Sequence, residues 1–299
     1  MAGTRRGTSA HALNPLRAAG VTLAVVTVLV AILLASCSGG TPKKPSADPT
    51  NATTTPLPAA TAAPLPSSHG CYLLTYDDAL EPTSSAEPVE CSQEHTDRTF
   101  HVGRPSNVVN GHLLAVDSAR VTRQMATECP RRFASYVGGS TEQRRLSMLS
   151  VVWFGPTLRQ SDEGQSWFRC DAIALASAGK LAPLTGKLVK VLDSEAGRTR
   201  WGRCATGKPG TKGAVQVLCS TKQPGGSTWR AVATVNVAAG PKGAWPGPKK
   251  AAAAGAGCED RVRDQAEDKL SFSWGYEPPT EAQWKAGQHY GFCWSPTKK

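Results

Sequence analysis

Residues 279–293 read PTEAQWKAGQHYGFC, and residues 156–170, which lie 123 positions earlier, read PTLRQSDEGQSWFRC. Pro, Thr, Gln, Gly, Gln and Cys occupy the same six offsets in both segments, and an aromatic residue precedes each cysteine by three positions. A recurrence of this kind within one chain indicates an internal repeat, so periodicity has to be settled before the fold is considered.

Both segments contain the signals that begin and end a short helix. A Ser/Thr-x-x-Glu/Gln capping box satisfies the first free backbone N–H groups of a helix, and a glycine in a left-handed conformation ends it. We therefore expect a cap, one or two helical turns, a glycine stop and a final strand with the last cysteine in each half. The capping residues are Thr157 with Gln160 and Thr280 with Gln283, and the glycines are Gly164 and Gly287.

Eight cysteines beyond Cys37 form two sets of four with similar spacing. The intervals are 20, 38 and 41 residues in the first set and 15, 39 and 35 in the second. No interval has the short spacing of a zinc site, and an exported chain meets an oxidising compartment, so disulfides are favoured over metal ligation. Each set allows three connectivities. We favour first with second and third with fourth, because such bridges would link neighbouring strands and link the helix to the last strand. The sets are Cys71, Cys91, Cys129 and Cys170, then Cys204, Cys219, Cys258 and Cys293.

The expected fold class is α+β, with two tandem, small, disulfide-stapled domains at residues 70–188 and 189–299. Alternating and β-branched segments predict an antiparallel sheet, and each domain has one main helical pattern. In the first domain this pattern lies within residues 111–138, where Pro130 should end or kink the helix. In the second domain it covers residues 249–270.

Residues 1–36 read as an export signal, since basic residues and no acids precede an apolar run at residues 18–35. The run ends in LASC, which resembles the lipobox of bacterial lipoproteins and implies that Cys37 receives a diacylglycerol after cleavage. Residues 37–69 are rich in Pro, Thr and Ala, a composition that predicts a disordered stalk. We expect a lipid-anchored protein on the extracytoplasmic face of the cell membrane. The alternative is a single N-terminal transmembrane anchor.

The four-cysteine layout, with Cys-Ser-x-x-His at residues 91–95, a cysteine in the helix and a Pro-Thr…Trp…Gly…Cys close, resembles the septum-formation family of actinobacterial exported or membrane-anchored proteins. The resemblance covers both halves of the chain. The second half departs from it at Gln223, which stands where the first half has His95. The first half has Ser161 where the second has the family's Trp284. The resemblance implies a link to cell division, and it implies no reaction and no ligand.

Patterns that would suggest a metal site or a catalytic site have simpler interpretations. His95 and His101 could combine with Glu94 and Asp97 around a metal, but the second half has neither histidine, which favours turn histidines bonded to their own loop. The sequence SAGK at residues 177–180 matches the Ser-x-x-Lys of penicillin-binding proteins without their other motifs. We therefore expect no catalytic residue, no metal, no cofactor and no enzymatic activity.

The two halves of the chain differ in charge. Residues 70–172 carry 10 basic and 13 acidic side chains, whereas residues 173–299 carry 19 and 9. A basic surface outside the cell attracts anionic wall polymers, lipid head groups or acidic protein faces, and export removes nucleic acid as a partner. We expect a binding or scaffold module whose partner is an envelope or divisome protein or an anionic wall polymer. The alternative is an envelope enzyme or sensor that acts on peptidoglycan or on such a polymer.

Overall fold

The computed structural model describes residues 65–297, apart from residues 222–225, 227 and 267. The expected signal peptide at residues 1–36, the expected lipidation site Cys37 and most of the expected stalk at residues 37–69 lie outside the described residues, and so does Gln223.

The described residues form twelve strands and seven α-helices. The strands are β1 (Cys71–Tyr72), β2 (Asp97–Gly103), β3 (Val108–Val109), β4 (His112–Leu113), β5 (Leu149–Phe154), β6 (Phe168–Ser177), β7 (Lys180–Leu181), β8 (Arg203–Ala205), β9 (Gln216–Leu218), β10 (Trp229–Asn236), β11 (Gly275–Glu277) and β12 (Tyr290–Pro296). The helices are α1 (Ala119–Val137), α2 (Thr141–Arg145), α3 (Leu158–Asp162), α4 (Glu195–Arg200), α5 (Pro248–Ala253), α6 (Ala256–Arg263) and α7 (Glu281–Lys285). Short 3-10 helices lie at Asp78–Leu80, Val191–Asp193 and Pro241–Gly243.

One antiparallel sheet of ten strands runs through both halves. Its order is β1-β2-β6-β9-β8-β10-β12-β11, and β5 and β7 also pair with β6. Strands β3 and β4 form a separate hairpin. The expected mixture of an antiparallel sheet with few helices is confirmed.

The two halves share one strand-pairing scheme. Strand β2 lies between β1 and β6 as β10 lies between β8 and β12. In β2, a register shift comes just before His101, which pairs with Cys170. In β10, the same kind of shift comes just before Ala233, which pairs with Cys293. Positions in one half can therefore be matched to positions in the other by register.

Four disulfides link the cysteines in the pattern favoured from the sequence. In each half the first bridge joins a strand to a turn, β1 to Cys91 and β8 to Cys219, and the second joins a helix, α1 or α6, to β6 or β12. The bonds are Cys71–Cys91, Cys129–Cys170, Cys204–Cys219 and Cys258–Cys293.

The local helix signals of the repeated segments are confirmed. Thr157 and Thr280 each accept a hydrogen bond from the backbone N–H of the glutamine three residues later, and the glutamine side chain returns to the threonine backbone. Gly164 and Gly287 adopt φ values of 85° and 94°, the left-handed region that favours glycine. A third capping box at Ser140, which begins α2, was not expected from the sequence.

Of the two expected effects of Pro130, an end or a kink of the helix, the first does not occur, because α1 continues through Pro130 to Val137. Its buried residues recur every four positions and pack on the sheet beside Phe168. Proline removes one backbone hydrogen bond from a helix, and burial of this apolar face together with the bridge from Cys129 outweighs that loss. The buried residues of α1 are Val121, Met125, Cys129, Phe133 and Val137.

Two other boundaries differ from the expectation. The helical pattern at residues 249–270 becomes α5 and α6, and α6 ends at Arg263, seven residues early. Alternation at residues 89–91 predicts a strand, but in the structure Val89 contributes only an isolated bridge to Cys71.

A common core joins the two halves. Trp201, which is 2% exposed, packs in one cluster with Phe133 and Leu149 of the first half and with Leu218 of the second. Its backbone carbonyl accepts a hydrogen bond from the N–H of Met148 at 2.7 Å. Residues 62–299 accordingly cluster as one compact unit, and the division into domains at residue 188 stays a prediction.

Candidate functional site

A cluster of charged side chains is buried inside the first half. Asp97 and Thr99 come from β2, and Arg169 and Asp171 come from β6, where Thr99 stands directly opposite Asp171. Both aspartates are 0% exposed and Arg169 is 4% exposed. Burial of ionised groups is costly unless they are paired, so the arrangement requires internal compensation.

Arg169 supplies that compensation. Its Nε lies 2.9 Å from Oδ2 of Asp171. Its guanidinium lies over the ring of Tyr72 at 3.7 Å and over the ring of Phe154 at 4.8 Å. The aromatic faces attract the cation, so Arg169 is held between one carboxylate and two rings.

The loop between β1 and β2 packs over this face of the sheet. Leu74 and Ala79 from the loop are buried in one cluster with Tyr72 and Phe154. The loop is tied down at its two ends, because the Thr96 hydroxyl accepts from the Leu74 N–H at 2.8 Å and lies 2.7 Å from the Leu74 carbonyl. The charged cluster is therefore enclosed and is not part of an open cleft.

The two carboxyl groups have different protonation tendencies. Burial, together with the neighbouring charge of Asp171, raises the pKa of Asp97 well above its usual value. Burial also raises the pKa of Asp171, and the adjacent Arg169 opposes that rise. We assign the proton to Asp97 and the negative charge to Asp171, since only Asp171 forms the ion pair.

The second half replaces this cluster with apolar residues at the matched register positions. Asp97, Thr99, Arg169 and Asp171 correspond in order to Trp229, Ala231, Phe292 and Trp294. These four residues belong to one cluster with Ala205, in which Trp294 is 0% exposed. The two halves thus share their pairing and differ in the chemistry of their interiors.

A polar chain borders that aromatic interior. Arg203 donates to the Gln216 Oε1 at 2.5 Å, and the Gln216 Nε2 donates to the Glu277 carboxylate at 2.8 Å. The Arg203 guanidinium also lies 4.6 Å from the Phe292 ring centroid and donates to the Ser147 carbonyl of the first half. Burial raises the pKa of Glu277, although its bonds to Gln216 oppose that rise. This chain connects the second half to Ser147 of the first half.

Two surface grooves lie in the second half. The first, here called the arginine groove, has a volume of about 720 Å³. The second, here called the tryptophan groove, has a volume of about 590 Å³. The arginine groove is lined by Glu195, Ala196, Thr199, Arg200, Cys204, Cys219, Ser220, Arg230 and Thr297. The tryptophan groove is lined by Gly243, Ala244, Trp245, Glu281, Trp284, Lys285 and His289.

The tryptophan groove is built on three aromatic rings. His289 stacks on buried Trp284 with ring centroids 4.2 Å apart, and Trp245 meets Trp284 edge-on at 5.5 Å. The three rings therefore contact one another, and Trp284 stands where the first half has Ser161.

A family model described as "Septum formation" matches residues 71–293. The chain belongs to this septum formation family. No curated protein and no solved structure matches the chain. The four disulfides and the family match indicate an extracellular or surface protein. Within the described residues, no helix has the length and apolar character needed to cross a membrane.

In this septum formation protein the histidines considered as metal ligands contact other groups. His95 is buried, and its Nδ1 lies 2.9 Å from the Gln93 carbonyl. The Nε2 of His101 lies 3.2 Å from Glu128 on α1. No group of three metal-ligating side chains occurs among the residues that the structure describes.

The Ser-x-x-Lys pattern lies at a hairpin between β6 and β7, where Ser177 pairs with Lys180 in register. The buried charged cluster was missed from the sequence. Its signal was the charge at Arg169 and Asp171 inside the apolar run of β6, since strands buried on both faces rarely carry charge without a partner.

Proposed function

We propose that this member of the septum formation family is a lipid-anchored surface protein that acts without catalysis as a binding or scaffold module in septum formation. Family membership over residues 71–293 carries the proposal. The LASC sequence before Cys37 and the Pro-rich residues 37–69 support a lipid anchor followed by a spacer. The actinobacterial envelope is the setting that the sequence resemblance implies.

We further propose that the folded part consists of two tandem copies of one domain. The matched strand register, the two equivalent disulfides in each half and the paired capping boxes support this. The exchange of a charged interior for an aromatic one supports divergence of the copies after duplication.

The enclosed carboxylates support a role without catalysis. An enzyme that uses two carboxyl groups needs substrate within hydrogen-bond reach of them. Asp97 and Asp171 are fully buried under the loop that contains Leu74, and they lie within the first half and not between the halves. We therefore assign them a structural role in place of a role in hydrolysis.

The localisation of the full chain in dividing cells tests the proposal. A fluorescent reporter that folds outside the membrane is fused to the C-terminus, and a Cys37→Ser version is compared with it. We expect the parent protein to gather at septa and to incorporate a labelled fatty acid, and the Cys37→Ser variant to lack the label. An even distribution over the surface would contradict the septal role, and a membrane-bound parent chain without the label would show a transmembrane anchor instead.

A catalytic role is tested separately with Asp97→Asn. Since the side chain is buried and neutral in our assignment, the variant should restore division in a deletion strain as well as the parent chain does. Loss of complementation by a variant that folds and localises normally would favour an enzyme.

A further inference from the structure

The arginine groove has the shape and the chemistry of an anion site. It lies between helix α4, the Cys204–Cys219 bridge and strand β10, with the end of β12 at one side. Two arginines from different elements face it, Arg200 from α4 and Arg230 from β10. Two hydroxyl side chains, Thr199 and Ser220, line the same space.

Both arginines are available to a ligand. Neither lies within 4.0 Å of a carboxylate oxygen of the described residues. Arg200 is exposed, and its guanidinium lies 5.2 Å from the Trp201 ring. Arg230 is half-buried and donates one hydrogen bond, from Nη2 to the Arg198 carbonyl at 3.1 Å. This bond fixes the position of the guanidinium and leaves its other N–H groups without a bond to the described residues.

The carboxylate of Glu195 does not cancel the positive charge of the arginine groove. Glu195 also lines the groove, but two guanidinium groups stand against this single carboxylate. Arg198, whose Nη1 donates to the Leu192 and Asp193 carbonyls, adds a further positive charge behind Arg230. The wider half, residues 173–299, has 19 basic and 9 acidic side chains. The long-range field of this half therefore attracts anions toward the groove.

The first half has an arginine at the position of Arg230 but none at the position of Arg200. Arg98 stands opposite Cys71 in the sheet as Arg230 stands opposite Cys204. The residues that precede Cys71 in the sequence, LPSSHG, contain no counterpart of Arg200. Arg98 is therefore a matched control for Arg230, with the same residue type and register but a different setting.

We propose that the arginine groove binds phosphodiester groups of an anionic wall polymer. Guanidinium groups donate two parallel hydrogen bonds to phosphate oxygens, and hydroxyl groups complete such sites. A polymer is favoured over a lipid head group because the Pro-rich residues 37–69, which lie outside the described residues, predict a spacer that extends roughly 3 Å per residue away from the bilayer. The inference rests on the proposed function as a binding module, and it names the class of ligand.

Binding of the full chain, held in neutral detergent micelles, to soluble poly(glycerol phosphate) tests the inference. The variants are Arg200→Gln, Arg230→Gln and the control Arg98→Gln. Each groove variant should weaken binding by about tenfold or more, the loss expected for a charge-assisted hydrogen bond. The control should change affinity by less than about twofold, because it removes the same net charge away from the groove.

Three results would overturn the inference. They are no saturable binding of the polymer, equal weakening by the Arg98 control, and binding to phosphatidylglycerol vesicles beyond that to neutral phosphatidylcholine vesicles with none to the polymer. Arg230→Gln removes a bond within the fold, so exposed Arg200 keeps the test valid if that variant is unstable. Septal localisation of Arg200→Gln is measured in parallel. Binding reports on the groove and localisation on the proposed function, so failure of one is distinguishable from failure of the other.

Discussion

Replacement of the buried acid Asp97 by asparagine should make the protein more stable as the pH rises, relative to the parent chain. Asn is close to Asp in shape and is neutral, and its amide N–H₂ can take the place of the carboxylic O–H beside Asp171. The variant therefore keeps the buried donor and loses only the group that titrates. A loss of stability at all pH values would instead follow if Asp97 were ionised in the fold.

The size of the effect follows from linkage between protonation and folding. In the unfolded chain Asp97 loses its proton near its ordinary pKa of 3.8, whereas in the fold burial and Asp171 raise the pKa well above that value. Between these two pKa values the folded chain holds a proton that the unfolded chain has released. Each pH unit in this window lowers the free energy of unfolding of the parent by about 1.4 kcal/mol. The contribution is fully present below the unfolded pKa and is lost as the pH rises to the folded pKa.

Urea unfolding of the full chain in detergent, followed by tryptophan fluorescence at several pH values from 4 upward, measures this difference. The stability of Asp97→Asn relative to the parent should rise by about 1.4 kcal/mol per pH unit at first and then level off. Asp117→Asn, the same substitution at an exposed position, provides the reference for the effect of the replacement itself. A relative stability that stays constant with pH, or falls, would refute the assignment of a proton to Asp97.

Of three further predictions, two concern the free energy of unfolding and one concerns the order in which the disulfides are reduced. Arg169→Met leaves the buried carboxylate of Asp171 without its cation and should lower the free energy of unfolding by about 3–5 kcal/mol at neutral pH. Urea unfolding measures this loss, and a value below about 1 kcal/mol would contradict the prediction. Gly197→Ala places a Cβ 1.8 Å from the Val191 carbonyl oxygen, and should cost about 1–3 kcal/mol or more in the same assay, whereas an unchanged midpoint would be inconsistent with this packing. The bridge that contains exposed Cys91 should be reduced before the buried bridges of α1 and α6; alkylation and mass spectrometry give the order, and simultaneous reduction would argue against it.

Signals confined to a few residues were predictable from the sequence. The capping boxes at Thr157 and Thr280 and the glycine stops depend on contacts within one helical turn, so their residue types suffice. The disulfide pairing was favoured correctly because the expected helix and final strand of each half each contain one cysteine, and a bridge between them leaves the first two cysteines to pair. Pro130 does not end α1, because the cost of proline is local, whereas the burial that outweighs it depends on a sheet assembled from distant segments.

The buried charged cluster required information that local patterns do not contain. Asp97 and Asp171 are 74 positions apart in the sequence and meet only because β2 pairs with β6 in one particular register. A shift by one residue would turn each side chain to the other face of the sheet. The charged residues inside the apolar β6 indicated that a buried partner must exist, but only the pairing of β6 with β2 showed which residues it is.

The contrast between the interiors bears on which half contacts a ligand. The first half encloses the cluster of Asp97, Arg169 and Asp171. The second half fills the matched positions with apolar groups such as Phe292, and Arg200 and Arg230 line its arginine groove. The second half nevertheless depends on the first, because Trp201 and Leu218 are 2% and 3% exposed only while they pack with residues such as Phe133. Separation of the halves would expose this apolar surface, which burial stabilises by roughly 25 cal/mol per Å². The arginine groove borders Trp201 through its neighbour Arg200, so we expect its geometry to persist only when the first half is present as its support.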